Sequence, residues 1–402
     1  MKKITTYRYK LEPNQSQTAK LEHFSGVCRM VYNMALEIKR DAYKYHGKSI
    51  SKGELQKQIT ELRAEYPFIK EVHSQVLQAS TDRLFTAYDN FFSKRAGYPK
   101  FRKKAQHNSF TYKQGISYSD THIYLPSIGN VKYRNSRAIP MTAKLKGAIV
   151  KKDRDDWFVS VMFEYEYVPE IRSKRMVIGI DLGVKNFATL STGEVIENPR
   201  TLKKDERKLA TKQRAVARKV KGSNNRKKAV KELSKVHAKI RNTRNDFLQK
   251  VSTKIVNENQ VIVLEDLNIK GMTKRCKPKK NVTGKHIPNG QKAKSGLNKS
   301  ILDAGWGNFG IMINYKSKRE SGQVVVADRF YASSKECSNC HEKNTDLKLS
   351  DRVWICKKCG KLHDRDGNAS LNLEAVGHTV IAFGNQQKAG DNIAPPLKDE
   401  SL

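Results

Sequence analysis

The stretch Cys337-Ser-Asn-Cys340, followed fifteen residues later by Cys356-Lys-Lys-Cys359 and then by His363-Asp-Arg-Asp366, decides how this chain is read. Two C-x-x-C knuckles at this separation have the spacing that grips one tetrahedral zinc ion. A zinc ribbon is therefore expected over residues 333–362, with Cys337, Cys340, Cys356 and Cys359 as ligands. Four thiolates close the coordination of such an ion, so it serves structure rather than chemistry. Immediately behind the ribbon stand Asp364 and Asp366, in a chain of formal net charge +38. Carboxylates facing a polyanion in so basic a protein suggest a magnesium site, because Mg²⁺ is hard and demands oxygen ligands.

The 402 residues carry 78 Lys and Arg against 40 Asp and Glu. An excess of this size is more than a solvated surface needs, and its natural counterion is nucleic-acid phosphate. A membrane surface is the competing partner. It fails because no apolar run approaches the ~20 residues of a spanning helix. The N-terminus, Met1-Lys-Lys-Ile-Thr-Thr-Tyr7, has cations without the apolar stretch of a secretion signal, so export is not indicated. Six cysteines in an unexported chain favour metal over disulfides. Cys28 reads as a helix core residue, and Cys276 as incidental in a basic loop.

Upstream of the ribbon, Val177-Ile-Gly-Ile-Asp181 and Val261-Ile-Val-Leu-Glu265 are compact apolar strands, each ending in an acid. That position is the carboxyl edge of an α/β sheet, where a ligand can meet the side chain. If Asp181, Glu265 and Asp366 converge, they can hold two Mg²⁺ ions ~4 Å apart. One ion would activate a water for in-line attack on phosphorus, and the other would stabilise the departing 3′ oxygen. Each acid also has a plainer reading. Asp181 can cap a turn, Glu265 can pair with a basic helix, and Asp364 or Asp366 can be an N-cap. Asp266 and Asp364 are local rivals; Glu265 and Asp366 are preferred on motif position.

Working outward, residues 4–12 alternate like a strand. Pro13 breaks it, Asn14 with Gln17 forms a capping box, and a helix runs to Gly47. Helices are expected at 51–65 and 73–94, and strands at 108–113, 121–125, 128–134, 147–152 and 157–167. Further strands follow at 187–191 and 194–197, then helices at 201–220 and 226–258. Residues 270–300 read as a mobile basic loop, followed by one helix at 301–320, a strand at 323–329 and a short helix from Asp366. The tail 377–402 reads as disordered.

Residues 200–244 hold eighteen Lys and Arg against three acids. A solvated helix face usually mixes signs, so phosphate binding is the better reading, with Arg207, Arg214, Arg218, Arg226, Lys227, Arg241 and Arg244 as candidates. Tyr98, Lys100, Phe101, Arg102 and Lys103 interleave aromatics with cations, which suits base stacking and backbone contact. Local core is the alternative. Gln78 and Ser80, on a helix face, are weaker candidates for reading a duplex.

In combination, Gly179-Ile-Asp181-Leu-Gly-Val-Lys-Asn186, Leu264-Glu265-Asp-Leu267, the ribbon and His363-Asp-Arg-Asp366-Gly-Asn-Ala369 resemble the split RuvC nuclease of the transposon-encoded TnpB (OrfB) family. That family is related to type V CRISPR effectors. Leu77-Gln-Ala-Ser80, Ala87-Tyr-Asp-Asn-Phe-Phe92, Gly97-Tyr-Pro-Lys-Phe-Arg-Lys-Lys104 and Asp303-Ala-Gly-Trp306-Gly-Asn-Phe309 match it too. The resemblance spans about residues 1–375.

What it implies is an α+β multidomain protein with an RNase H-like (RuvC) α/β core at 173–332 and 363–376, into which the ribbon is inserted. A wedge β-barrel at 1–12 and 97–172 would carry a helical recognition insert at 13–96. The activity implied is RNA-guided DNA cleavage at a single site holding Mg²⁺ on Asp181, Glu265 and Asp366. The implied partners are a noncoding guide RNA from the transposon end and double-stranded DNA bearing a short target-adjacent motif, with pairing reading sequence and protein reading the motif. A monomer in the cytoplasm, nucleoid-associated in a prokaryote, is expected. A guided repressor without cleavage would lack the acids, all of which are present. A transposase or resolvase on the same nuclease fold is the remaining alternative.

Overall fold

The computed structural model describes residues 2–104, 108–139, 142–167, 175–348 and 350–383. The chain divides into two compact units, residues 1–168 and 169–402. The expected border between 172 and 173, and the tail from 384 on, lie outside the described residues.

The first unit opens with β1 (Lys2–Glu12) and four helices, α1 (Gln15–His46), α2 (Lys52–Glu65), α3 (Pro67–Lys70) and α4 (Ser74–Phe92). Six strands follow: β2 (Ser109–Tyr112), β3 (Ser117–Tyr118), β4 (His122–Leu125), β5 (Gly129–Tyr133), β6 (Lys144–Asp153) and β7 (Asp156–Glu166). All seven strands form one antiparallel sheet in the order β2-β6-β7-β1-β5-β4-β3. The helices are thus an insertion between β1 and β2. The capping box is present: Gln17 N donates to Asn14 Oδ1 at 2.8 Å, and Asn14 N donates to Gln17 Oε1 at 3.1 Å. Gly47, at φ 62°, ends the helix in the left-handed region that only glycine enters without cost. Every second residue of β7 is buried, and Trp157 and Phe163 join Tyr9, Phe24 and Phe110 in a core shared by sheet and helices.

The second unit runs β8 (Arg175–Leu182), β9 (Asn186–Leu190), β10 (Val195–Glu197), α5 (Thr201–Ala217), α6 (Asn224–Glu258), β11 (Asn259–Glu265), α7 (Ile269–Met272), β12 (Lys279–Lys280), β13 (His286–Ile287), α8 (Gln291–Ala304), α9 (Trp306–Arg319), β14 (Gln323–Ala327), β15 (Val353–Ile355), β16 (Leu362–Asp364) and α10 (Arg365–Phe383). Its main sheet has the order β10-β9-β8-β11-β14. β8, β11 and β14 are parallel, and β9 runs antiparallel to β8. Central parallel strands are covered on both faces, which explains their continuous apolar runs. Ile178, Ile180, Ile262 and Leu264 face a core built with Leu248, Ile255, Phe309 and Ile313 from α6 and α9. Val177, Val261 and Val263 point the other way, toward Leu373 of α10.

Three expectations are corrected here. Part of the 270–300 loop is ordered, as the β12–β13 hairpin and as α8, which begins at Gln291. The single helix at 301–320 is two helices, because Gly305 adopts φ 74° and breaks the run between Ala304 and Trp306. The final helix extends to Phe383, past Gly377. A Cβ at Gly377 would lie 2.5 Å from Val177 Cγ1 and 2.6 Å from Val263 Cγ2, so this glycine serves close packing on the sheet instead of ending the helix.

Candidate active site and metal centre

Side chains alternate between the two faces of a strand, so Val177, Gly179 and Asp181 share one face of β8, as Val261, Val263 and Glu265 share one face of β11. Both sets lie on the α10 side. The parallel register pairs Val263 with Gly179 and ends with Leu264 on Ile180, one residue before Glu265 and Asp181. Neighbouring strands lie about 4.8 Å apart, so the two acids are adjacent at the carboxyl edge of the sheet.

Gly179 brings in the third acid. A Cβ there would overlap the Ser370 carbonyl and the Glu374 amide, so only glycine lets the backbone of α10 lie directly on β8. Asp366 occupies the first turn of that helix. Its carboxylate is 3.5 Å from both Arg352 Nη1 and Arg365 Nε.

Burial pushes the Asp181 carboxyl up to about 8, and the charges of Glu265 and Asp366 add to the shift; Arg365 opposes it, and Asp364 raises it further. Glu265 and Asp366 therefore lie close enough to disfavour the charge of Asp181. Carboxylate oxygens are the donors a hard divalent cation takes, so the chemistry of the set suits such an ion, while the three acids do not draw within 4.8 Å of one another as the cysteines do. Glu265 Oε1 accepts a hydrogen bond from Ser333 Oγ at 2.5 Å. The rivals are engaged elsewhere. Asp266 pairs with Arg329 at 2.5 Å, and Asp364 Oδ1 accepts from the Gly367 amide at 2.8 Å.

Among the described residues, Cys337, Cys340, Cys356 and Cys359 form the one group whose ligand atoms all lie within 4.8 Å of one another. Cys337 Sγ and Cys359 Sγ are 3.7 Å apart, and Cys340 Sγ and Cys356 Sγ 3.5 Å. A tetrahedron with metal–sulfur bonds of about 2.3 Å has edges of about 3.8 Å, so this cage could hold one metal ion. His363 Nε2 is 3.1 Å from Cys337 Sγ, and its ring lies 4.7 Å from that of Trp354 across the β15–β16 pair.

Two residues that sequence reasoning left without a role join ribbon to helix. Asn368 Nδ2 donates to the Glu336 carbonyl at 2.6 Å, and its Oδ1 accepts from the Ser338 amide at 2.9 Å. Asn372 Nδ2 donates to the carbonyls of Ser333 and Glu336, each at 2.7 Å. Both asparagines are buried. Two asparagines one turn apart on a helix that is otherwise largely apolar beyond its first turn are the signal that could have found them.

The candidate nucleic-acid contacts divide into outward and inward residues. Arg207, Arg214, Arg218, Lys227 and Arg241 are exposed. Arg226 Nη1 instead donates to the carbonyls of Val216 and Lys219, joining the end of α5 to α6. Arg244 pairs at 2.6 Å with the buried Asp303, which also accepts from Thr201 Oγ1 and the Leu202 amide. In the first unit, Tyr98 and Phe101 are each 44% exposed, and Lys100 and Lys103 are exposed too. Arg102 turns inward: its guanidinium lies 3.6 Å from the Tyr32 ring centroid, and its backbone exchanges hydrogen bonds with the Asn33 side chain. Gln78 is exposed, whereas Ser80 is buried and donates to the Val76 carbonyl. Its reading as a duplex contact is corrected, since a hydroxyl engaged inside the α1–α4 core is withheld from solvent. Cys28 packs in that core, and burial raises its thiol to about 11.

A family profile described as "Probable transposase" matches residues 160–276, and one described as "Cas12f1-like, TNB domain" matches 306–373. A third, described as a "Helix-turn-helix domain", matches 1–48, where the structure has β1 and the single helix α1. The chain is 34% identical over 404 aligned residues, covering 100% of itself and 98% of the relative, to "Putative RNA-guided DNA endonuclease InsQ" of Escherichia coli (strain K12). A Streptomyces pristinaespiralis protein of the same description is 36% identical, over 94% of this chain and 90% of its own. Among solved structures, Cas12f1 in complex with single-guide RNA and target DNA has a similar fold, with a TM-score of 0.57 at 10% identity over 93% of this chain and 98% of that one. No helix among the described residues is long and apolar enough to cross a membrane. Acids, cysteine cage and whole-length similarity agree, and the chain belongs to the TnpB (OrfB) family, which is related to the type V CRISPR effectors.

Proposed function

We propose that this protein is a transposon-encoded, RNA-guided DNA endonuclease that hydrolyses phosphodiester bonds at one site made by Asp181, Glu265 and Asp366. The observation that supports the reading is the placing of Asp181 and Glu265 at the ends of two neighbouring parallel strands, with Asp366 in the first turn of the helix packed on one of them. The carboxylates would hold Mg²⁺, in a pair of ions, which when bound would activate a water and stabilise the leaving oxygen. The protein's own part is positional. Two acids stand at the sheet edge, Gly179 lets α10 lie close with the third, and Arg365 offsets part of the upward push on Asp181.

The remaining assignments follow from the same reading. The five-stranded mixed sheet is the RuvC-like core, the cysteine cage holds structural zinc, and the seven-stranded sheet with its inserted helices is the wedge and recognition region. Arg207, Arg214, Arg218, Lys227 and Arg241 contact phosphate, and Tyr98, Lys100, Phe101 and Lys103 contact nucleic acid by stacking and charge. The guide is a transposon-end RNA, the target is duplex DNA beside a short motif, and the protein acts as a monomer at the nucleoid.

Asp181→Ala, Glu265→Ala and Asp366→Ala are each expected to abolish cleavage of a guide-matched duplex while guide-RNA affinity stays at the parent value. Full cutting by any one of the three would remove that residue from the site.

A further inference from the structure

Glu265 is joined to the ribbon by a hydrogen-bonded circuit with Ser333 at its centre. Ser333 follows β14, is only 4% exposed, and belongs to neither the acid set nor the cysteine cage. Its Oγ donates to Glu265 Oε1 at 2.5 Å. Its carbonyl accepts from Asn372 Nδ2 at 2.7 Å and from Asn368 Nδ2 at 3.4 Å. Those asparagines belong to α10, the helix that presents Asp366, and they also hold the Glu336 carbonyl, one residue before the ligand-type Cys337. One serine therefore touches Glu265 through its side chain and the helix of Asp366 through its backbone.

We infer that Ser333 is a positioning residue: its hydroxyl, bonded to Oε1, fixes the rotation of the Glu265 carboxylate that would serve as a ligand to a divalent cation. The inference rests on the proposed reading of Glu265 as a metal ligand. A carboxylate has two equivalent oxygens and a broad terminal torsion. Free rotation would scatter the donor, and a hydrogen bond from a buried hydroxyl restricts it. The hydroxyl itself is placed by α10 and the first knuckle, so a correctly folded ribbon supplies the geometry of the acid on β11. The ribbon is thereby tied to Glu265 as well as to α10, the helix that carries Asp366. Partners that orient a ligating side chain typically affect metal affinity by roughly 10–100-fold.

The test uses the full chain loaded with its guide RNA, in the parent and in Ser333→Ala, Ser333→Thr and Glu265→Ala forms. Mn²⁺ binding is followed by electron paramagnetic resonance, and cleavage is followed across a Mg²⁺ titration. Ser333→Ala is expected to weaken Mn²⁺ binding and raise the half-saturating Mg²⁺ concentration by roughly tenfold or more. Its cleavage rate at saturating metal, zinc content and RNA affinity should stay near the parent values. Ser333→Thr, which keeps the hydroxyl, should restore the parent metal dependence. Parent-like metal binding in Ser333→Ala, with Glu265→Ala inactive, would overturn this inference and leave the site reading intact. Loss of zinc in Ser333→Ala would overturn it as well, assigning the serine to packing. Cleavage by Glu265→Ala would instead sink the site reading, and this inference with it.

Discussion

Asp181 shows how much a single residue reveals and conceals. Its position at the end of an apolar strand is plain in Val177-Ile-Gly-Ile-Asp181, whereas its titration depends first on burial and then on acids more than eighty residues away. The carboxyl is raised from 3.8 to about 8. The folded chain therefore holds a proton that the unfolded chain releases, and stability falls as pH rises across that window. Asp181→Asn should remove the penalty. Its melting temperature in magnesium-free buffer is expected to exceed the parent's by a few degrees, with the gap widening from about pH 5 to about pH 8. Equal pH slopes for the two proteins would refute the crowded-acid account. Ser333, Asn368 and Asn372 were illegible at this scale, because a serine or asparagine carries no mark of its partner until the fold supplies one.

At the scale of elements, regular patterns translated well. The Asn14–Gln17 box starts α1, and the two strands expected on either side of Arg154-Asp155 pair as a hairpin, with Asp153 opposite Asp156. Boundaries set by tertiary packing did not translate. Gly305 looked compatible with one helix and separates two, while Gly377 looked like a stop and lies inside α10. The ribbon was the clearest element, since four cysteines at fixed spacing come within 4.8 Å of one another, a cage that could hold one ion. Cys356→Ser should lower zinc below one ion per chain and melt the ribbon and α10 earlier than the rest, because binding energy at such a site is folding energy. Unchanged zinc stoichiometry with an unchanged melt would sink this assignment.

For the whole molecule, net charge announces a polyanionic partner, and the individual cations then divide by environment. Arg226 and Arg244 join helices to one another, a role that their place in a basic run conceals. Arg207, Arg214 and Arg218 remain on the surface. Replacing these three with Glu should weaken guide-RNA binding at low salt and flatten the plot of log affinity against log salt by about 2–3 units, near 0.7–0.9 per phosphate contact. A parent-like slope would place the RNA on another face. Arg226→Gln, by comparison, should act chiefly on stability.

The sequence by itself determined the chemistry: hard acids at strand ends, soft thiols at metal spacing, a strong excess of cations, and the periods that make each strand and helix. These are local properties, readable because side-chain alternation and ligand spacing act over a few residues. Only the tertiary structure decided which acids meet, which arginines face solvent, and that Ser333 reaches Glu265. Those outcomes depend on parallel register and on two glycines that let α10 lie against the sheet. Contacts across more than sixty residues leave no periodic trace in the chain that makes them.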